Sequence, residues 1–414
     1  MFQCHMNKSA ISFGDYALRL RLRTVLFSLV VLALGRGSAA ADGTASSATA
    51  EAQSCPAVGD AAIIRLLRPI REQHDLPAMA ALLLTSKGIT AVGAVGVRKR
   101  GTGIAVTLDD QWHLGSDTKA MTAALVARLV ERNQLRWDST LAEVFPDLAG
   151  EANPALRGVT LTHLLSHRAG VPANLSLGEF RGEDAPAERL RAVRETLAKA
   201  ALHPPGSNYL YSNLGYILAG AMIERVTGKS WEQAMRDDLF IPLRMTNTGF
   251  GGTGTPGQLD QPWPHSSNGQ PMPRNGPTVD NPPVLGPAGR VHATLQDWAK
   301  FIQDQLRGAQ DKPGLLTAAS YQRLHSPTFG GDYGLGWLVV ERPWGGGKVL
   351  HHAGDNTMNH ANVWLAPRRD FAVLVCVNQG GPTAAKACDE AVGALIKWQQ
   401  QNAPSQPAVP GKAD

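Results

Sequence analysis

Ser116-Asp117-Thr118-Lys119 sets a hydroxyl and an amine three residues apart, where the short apolar run Trp112 to Leu114 gives way to a helical pattern continuing to about Asn133. Positions i and i+3 share a helix face, so both side chains point into the same space. A serine in the first helical turn also gains unpaired backbone N–H groups and the positive end of the helix dipole, which favour a developing oxyanion. The same residues fit a capping serine beside a surface lysine. Tyr211-Ser212-Asn213 stands just before a second helical run starting at Leu214. A tyrosine near an ammonium loses its proton more easily than in water and can act as a base, while Asn213 can donate to a substrate carbonyl. A packed tyrosine with asparagine as the helix cap is the plainer alternative. In His352-Ala353-Gly354, at the end of the run Lys348 to His352, a small residue and a glycine let a substrate lie against the backbone, and the N–H of Asp355 becomes a second oxyanion donor. An ordinary turn with an incidental histidine is the alternative there.

The elements that must position these groups fall into three stretches. Val58 to Gln73 has helical spacing at Ile63, Ile64, Leu67 and Ile70, and the runs Ala78 to Leu84 and Ile89 to Val97, separated by Ser86-Lys87-Gly88, read as a hairpin. From Ser116 to about Leu306 the pattern is mainly helical, interrupted by the Gly- and Pro-rich stretch Gly251 to Arg290. Strand signals return after Tyr333, at Leu335 to Val340, Val349 to His352, Ala361 to Leu365 and Phe371 to Val377, before a last helix from about Thr383 to Trp398. The expected fold is α+β: one antiparallel sheet formed by both chain ends and flanked by terminal helices, with an inserted, mainly helical domain. The sheet part covers about 55–115 and 333–398, the helical part about 116–332, and a ligand cleft lies between them.

The 414 residues carry a net charge of +5 with 43% hydrophobic and 18% charged residues, enough for a substantial core. Lys8, Arg19, Arg21, Arg23 and Arg36 against Asp15 place most of that charge before residue 42, so the remainder is nearly neutral and has no footprint for nucleic acid. The basic start, the apolar run Thr24 to Leu34 and Ala39 to Ala41 have the order of a secretory signal, with cleavage near Ala41. The apolar run is too short to span a bilayer, and no cysteine stands at a lipoprotein-like position, so no stable membrane anchor is expected. Residues 1–41 are thus read as a signal peptide, 42–54 as a flexible lead-in and 399–414 as a disordered tail. The mature product is expected to be periplasmic or secreted, and monomeric.

Order and chemical fit carry more than any single motif: a serine with a lysine one turn away, then Tyr and Asn from the helical region, then a Gly-containing strand. In this the chain resembles the serine β-lactamase and penicillin-binding protein superfamily, most closely the class C β-lactamase-like branch with its esterases, D-alanyl-D-alanine carboxypeptidases and D-aminopeptidases. The likeness runs from about Ala57 to Trp398 and includes the stretches Leu161 to Gly170, Pro287 to Thr294 and Val363 to Gln379. It implies that Ser116 is acylated, Lys119 activates it, Tyr211 is general base and leaving-group acid, and Asn213 binds the substrate amide. The Ser116 and Asp355 N–H groups would form the oxyanion hole, with Gly354 and His352 lining the substrate strand. His352 stands where most true β-lactamases of the branch have lysine. A neutral imidazole gives up a fixed cation for a substrate carboxylate. Either the site then favours uncharged esters or amine-bearing peptides, or His352 only shapes the strand and another cation such as Arg290 binds the carboxylate.

No cofactor or metal is expected. His163 and His167 stand at i and i+4 without the intervening glutamate of a zinc protease, and the family phrase accounts for them. In the implied architecture the first and last helices cover one sheet face, which suggests a Cys55–Cys388 disulfide with Cys376 buried and free. The reading is a serine hydrolase acting on a small-molecule or peptide amide or ester. The alternatives are a true class C-like β-lactamase and a sensor module that binds a β-lactam or peptidoglycan fragment without turnover.

Overall fold

The computed structural model describes residues 55–272 and 279–402. The proposed signal peptide and lead-in, together with the last residues of the tail, lie outside them. Strands β1 (Ala57–Gly59), β2 (Ala78–Thr85) and β3 (Gly88–Gly96) come from the first part of the chain, and β7 (Leu338–Arg342), β8 (Gly347–Asp355), β9 (His360–Ala366) and β10 (Phe371–Val377) from the last. They form one seven-stranded sheet in the order β1-β3-β2-β10-β9-β8-β7, antiparallel at every pairing. The two chain ends meet where β2 pairs with β10, from Ala372 opposite Leu84 to Val377 opposite Met79.

Both central strands read as continuous apolar runs because both sheet faces are covered. Side chains alternate between faces, so Ala78, Ala80, Leu82 and Leu84 of β2 and Ala372, Leu374 and Cys376 of β10 enter the core shared with the helical part. Met79, Ala81, Leu83, Val373 and Val375 enter a second core under the terminal helices α1 (Ala61–Gln73) and α5 (Pro382–Asn402). The final helix continues to Asn402 rather than ending at Trp398, because straight-chain glutamines at 399–401 sustain a helix on its solvent side.

The cysteine expectation is corrected here. Cys55, Cys376 and Cys388 are all unpaired. Arg71 donates from Nη1 to the Cys55 sulfur at 3.1 Å, while Cys388 is buried on α5 and Cys376 faces the other side of the sheet.

The helical part is built on α2 (Thr118–Glu131), α3 (Asn213–Thr227) and α4 (Leu295–Gly308). α2 is buried almost all round, as a sequence apolar on every face requires, and it carries the fully buried Lys119. A small antiparallel sheet inside this part, β4 (Gln111–His113), β6 (Val291–Thr294) and β5 (Thr248–Phe250) in spatial order, was not expected from the sequence. It fixes β4, the strand that delivers the chain to Ser116, against β6. Among the described residues, no helix is long and apolar enough to cross a membrane.

Candidate active site

Ser116 sits in the 3₁₀ turn Gly115–Asp117 that leads directly into α2. Gly115 has φ +50, a left-handed conformation in which glycine avoids the steric cost of a side chain. A Cβ at Gly115 would stand 2.7 Å from the Asp355 nitrogen, and one at Gly354 would stand 1.9 Å from the Leu114 carbonyl oxygen and 2.7 Å from the Ser116 nitrogen. The two glycines therefore let β8 lie directly on the Ser116 turn, with the Ser116 and Asp355 nitrogens flanking their contact. β7 pairs with β8 only as far as His351, so the stretch His352 to Asp355 has no strand on that side among the described residues.

Lys119 lies one turn from Ser116 and is 0% exposed. Its Nζ is 2.9 Å from Ser116 Oγ, 2.7 Å from Asn213 Oδ1 and 2.7 Å from the Ala288 carbonyl oxygen. Burial holds its amine well below the ordinary lysine value, with the nearby Asp117 charge opposing. Two of the three partners can only accept: the Ala288 carbonyl, and the Asn213 carbonyl oxygen, whose orientation is fixed because Asn213 Nδ2 donates to Asn174 Oδ1 at 2.7 Å. A neutral amine has two N–H bonds for these acceptors, and its lone pair is left for the Ser116 hydroxyl.

Tyr211 completes the cluster. Lys119 Nζ is 4.8 Å from its ring centroid. Burial pushes the phenol above its ordinary range and outweighs the opposing influence of Ser116. The expected ease of tyrosine deprotonation is thus overridden: desolvation disfavours the phenolate and also works against the ammonium meant to stabilise it. Ser212 caps α3, its hydroxyl accepting from the Gly215 N–H at 2.9 Å, and so fixes where Tyr211 and Asn213 point.

His352 is turned inward and 6% exposed. Its Nδ1 faces the Ala353 carbonyl oxygen at 2.9 Å and therefore carries the hydrogen, so Nε2 accepts from the Tyr333 hydroxyl at 3.0 Å. Burial lowers its value from 6.5 to about 3, so the imidazole is neutral across the physiological range.

The structure thus brings Ser116, Lys119, Tyr211, Asn213, His352, Gly354 and Asp355 together from α2, α3, the residues just before each, and β8. Sequence reading missed several neighbours. Tyr333 opens the run before β7 and bonds His352. His167, at φ +61, accepts from the Ser212 N–H through Nδ1 at 2.9 Å and packs its ring 4.3 Å from that of Tyr211. Asn174 orients Asn213 and also lines a cavity of about 250 Å³ with Leu175, Phe180, Glu195 and Leu214. His163 instead closes a capping box with Thr160, apart from His167. Neither histidine belongs to a metal-binding group of three or more candidate ligands among the described residues.

The chain is 29% identical over 341 residues to penicillin-binding protein 4 of Amycolatopsis lactamdurans, covering 76% of this chain and 84% of that protein. It is 28% identical over 296 residues to the unguisins hydrolase ungD' of Aspergillus campestris (strain IBT 28561), covering 66% of this chain and 53% of the relative. The crystal structure of SurE superposes with a TM-score of 0.67 at 25% identity, covering 85% of this chain and 78% of SurE. The Beta-lactamase family model matches residues 63–396, a span holding every strand of the large sheet but β1 and all the site residues named above, so the chain belongs to this family of serine β-lactamases and penicillin-binding proteins.

Proposed function

We propose that the chain is an exported serine hydrolase that opens an amide or ester bond through an acyl-enzyme on Ser116. The observation that carries this reading is the environment of Lys119, whose lone pair is left facing Ser116 Oγ at 2.9 Å. Ser116 gives its proton to Lys119 as Oγ attacks the substrate carbonyl, and the Ser116 and Asp355 N–H groups receive the oxyanion. The Tyr211 phenol protonates the leaving group and regains a proton from the Lys119 ammonium. Water then enters by the reverse path, and Asn213 donates to the substrate carbonyl beside the scissile bond. The chain is proposed to act as a monomer, and no step calls for a cofactor.

His352 is buried and neutral, so the site has no fixed cation on that strand, and Arg290 spends its Nε on Asp280 at 3.1 Å. Uncharged esters and amine-bearing peptides are accordingly the better substrates, with the loop 172–188 setting their fit. Steady-state kcat/KM for p-nitrophenyl butyrate, D-amino acid amides and nitrocefin tests this. The expected result is repeated turnover of the ester or amide and a lower kcat/KM for nitrocefin. Efficient nitrocefin hydrolysis would make it a β-lactamase, and a single stoichiometric burst a binding module.

A further inference from the structure

The side chain of Asp280 is only 1% exposed, yet its carboxylate accepts from three side chains belonging to three separate parts of the site. Oδ2 faces His113 Nε2 at 3.0 Å and Arg290 Nε at 3.1 Å, and Oδ1 accepts from Asn356 Nδ2 at 3.1 Å. His113, at the end of β4, accepts the Gly115 N–H through Nδ1 at 3.1 Å. Its remaining hydrogen must then sit on Nε2 and point at Asp280, so the carboxylate fixes both the tautomer and the angle of the ring. Gly115 immediately precedes Ser116, and the plane of its peptide sets where the Ser116 N–H points.

On the other side, Asn356 follows Asp355. Its Oδ1 accepts from the Met358 N–H at 3.1 Å and the Asn359 N–H at 2.8 Å, closing the turn between β8 and β9, while Nδ2 is held by Asp280. Asn356 is thereby fixed at both ends of its amide. Arg290, the third partner, is two residues after Ala288, whose carbonyl accepts from Lys119.

We infer that Asp280 is a positioning residue that holds the two halves of the oxyanion hole, the Ser116 and Asp355 N–H groups, in register through His113 and Asn356. The inference rests on Ser116 being the acylated nucleophile. Burying a carboxylate among three donors is a costly way to fill space, since apolar residues of similar volume serve packing at least as well. What the carboxylate adds is direction: two backbone donors supplied by different elements act together only when both aim at one point.

The test is isotope-edited infrared spectroscopy of the Ser116 acyl-enzyme, read with kcat, KM and the thermal transition, in wild type, Asp280→Asn and His113→Phe. In Asp280→Asn the amide cannot accept from all three donors, and in His113→Phe the Gly115 N–H loses its acceptor. The expected result for each is a kcat lower by about 10- to 100-fold, less than the loss from deleting an oxyanion donor outright, with KM within about twofold. The acyl carbonyl stretch should move to higher wavenumber, because weaker donation polarises the bond less. A merely structural role would lower the folded fraction and leave both the stretch and the kcat per folded molecule unchanged, and that result overturns the inference. If Asp280→Asn does not fold, the same criteria apply to His113→Phe. Absence of any Ser116 acyl-enzyme in wild type would overturn the functional reading itself, and this inference with it.

Discussion

At the residue scale the decisive fact is the protonation state of Lys119. The i, i+3 spacing with Ser116 was legible in the sequence, because helix geometry alone puts the two side chains on one face. The division of labour was not. Which amine or phenol gives up its proton depends on desolvation, and that depends on how completely α3 and the Gly286–Gly289 turn enclose the amine, which no local pattern encodes. A free-base Lys119 predicts that kcat/KM rises with pH through a midpoint well below the ordinary lysine value of 10.5, because only the deprotonated amine can take the Ser116 proton. Lys119→Arg, permanently charged, should lose about 10²- to 10⁴-fold in kcat/KM with little change in fold. A midpoint near 10.5, or an active arginine variant, would contradict this.

At the scale of elements the hairpin β2–β3 and the strand β10 were readable because apolar runs bounded by turn residues leave few alternatives. β8 was foreseen only from Val349 to His352, although it runs to Asp355, since Ala353, Gly354 and Asp355 carry no apolar alternation. The β4-β6-β5 sheet was not foreseen, since strands of three or four residues are too short to show a period. Asn174 and Asp280 lie in loops whose roles come entirely from distant partners, so no spacing points to them. The close approach of β8 to the nucleophile turn gives a direct prediction. Gly354→Ala forces a methyl group against the Leu114 carbonyl and the Ser116 nitrogen and separates the two oxyanion donors, so kcat should fall about 100-fold or more and Tm should drop. Gly103→Ala, where an added Cβ meets nothing within 4 Å, is the control and should leave kcat and Tm nearly unchanged.

At the scale of the whole molecule, a sheet made from both chain ends with a helical insertion places the site at the seam, so the site is only as stable as the packing on both sides. That packing buries neutral imidazoles. Burial lowers His265, His292 and His351 from 6.5 to about 4, and His325 and His352 to about 3. Between those values and 6.5 the unfolded chain binds protons that the folded chain refuses, so stability rises with pH and is lost on acidification, by up to about 1.4 kcal/mol per pH unit for each imidazole. The carboxyls of Asp304 and Glu224, raised by burial, act in the opposite sense, so a single-site difference is the cleaner reading. Tm should fall as pH drops from 6.5 to 4.5, and His325→Gln should flatten that fall; an identical slope in the variant would contradict the assignment. The central claim, an acyl-enzyme on Ser116, is tested most directly by mass spectrometry of the protein after treatment with a fluorophosphonate probe. The account predicts one adduct per chain on the peptide bearing Ser116, and none in a Ser116→Ala variant whose Tm matches wild type. Labelling that persists in that variant, or an adduct mapped to another residue, would contradict it.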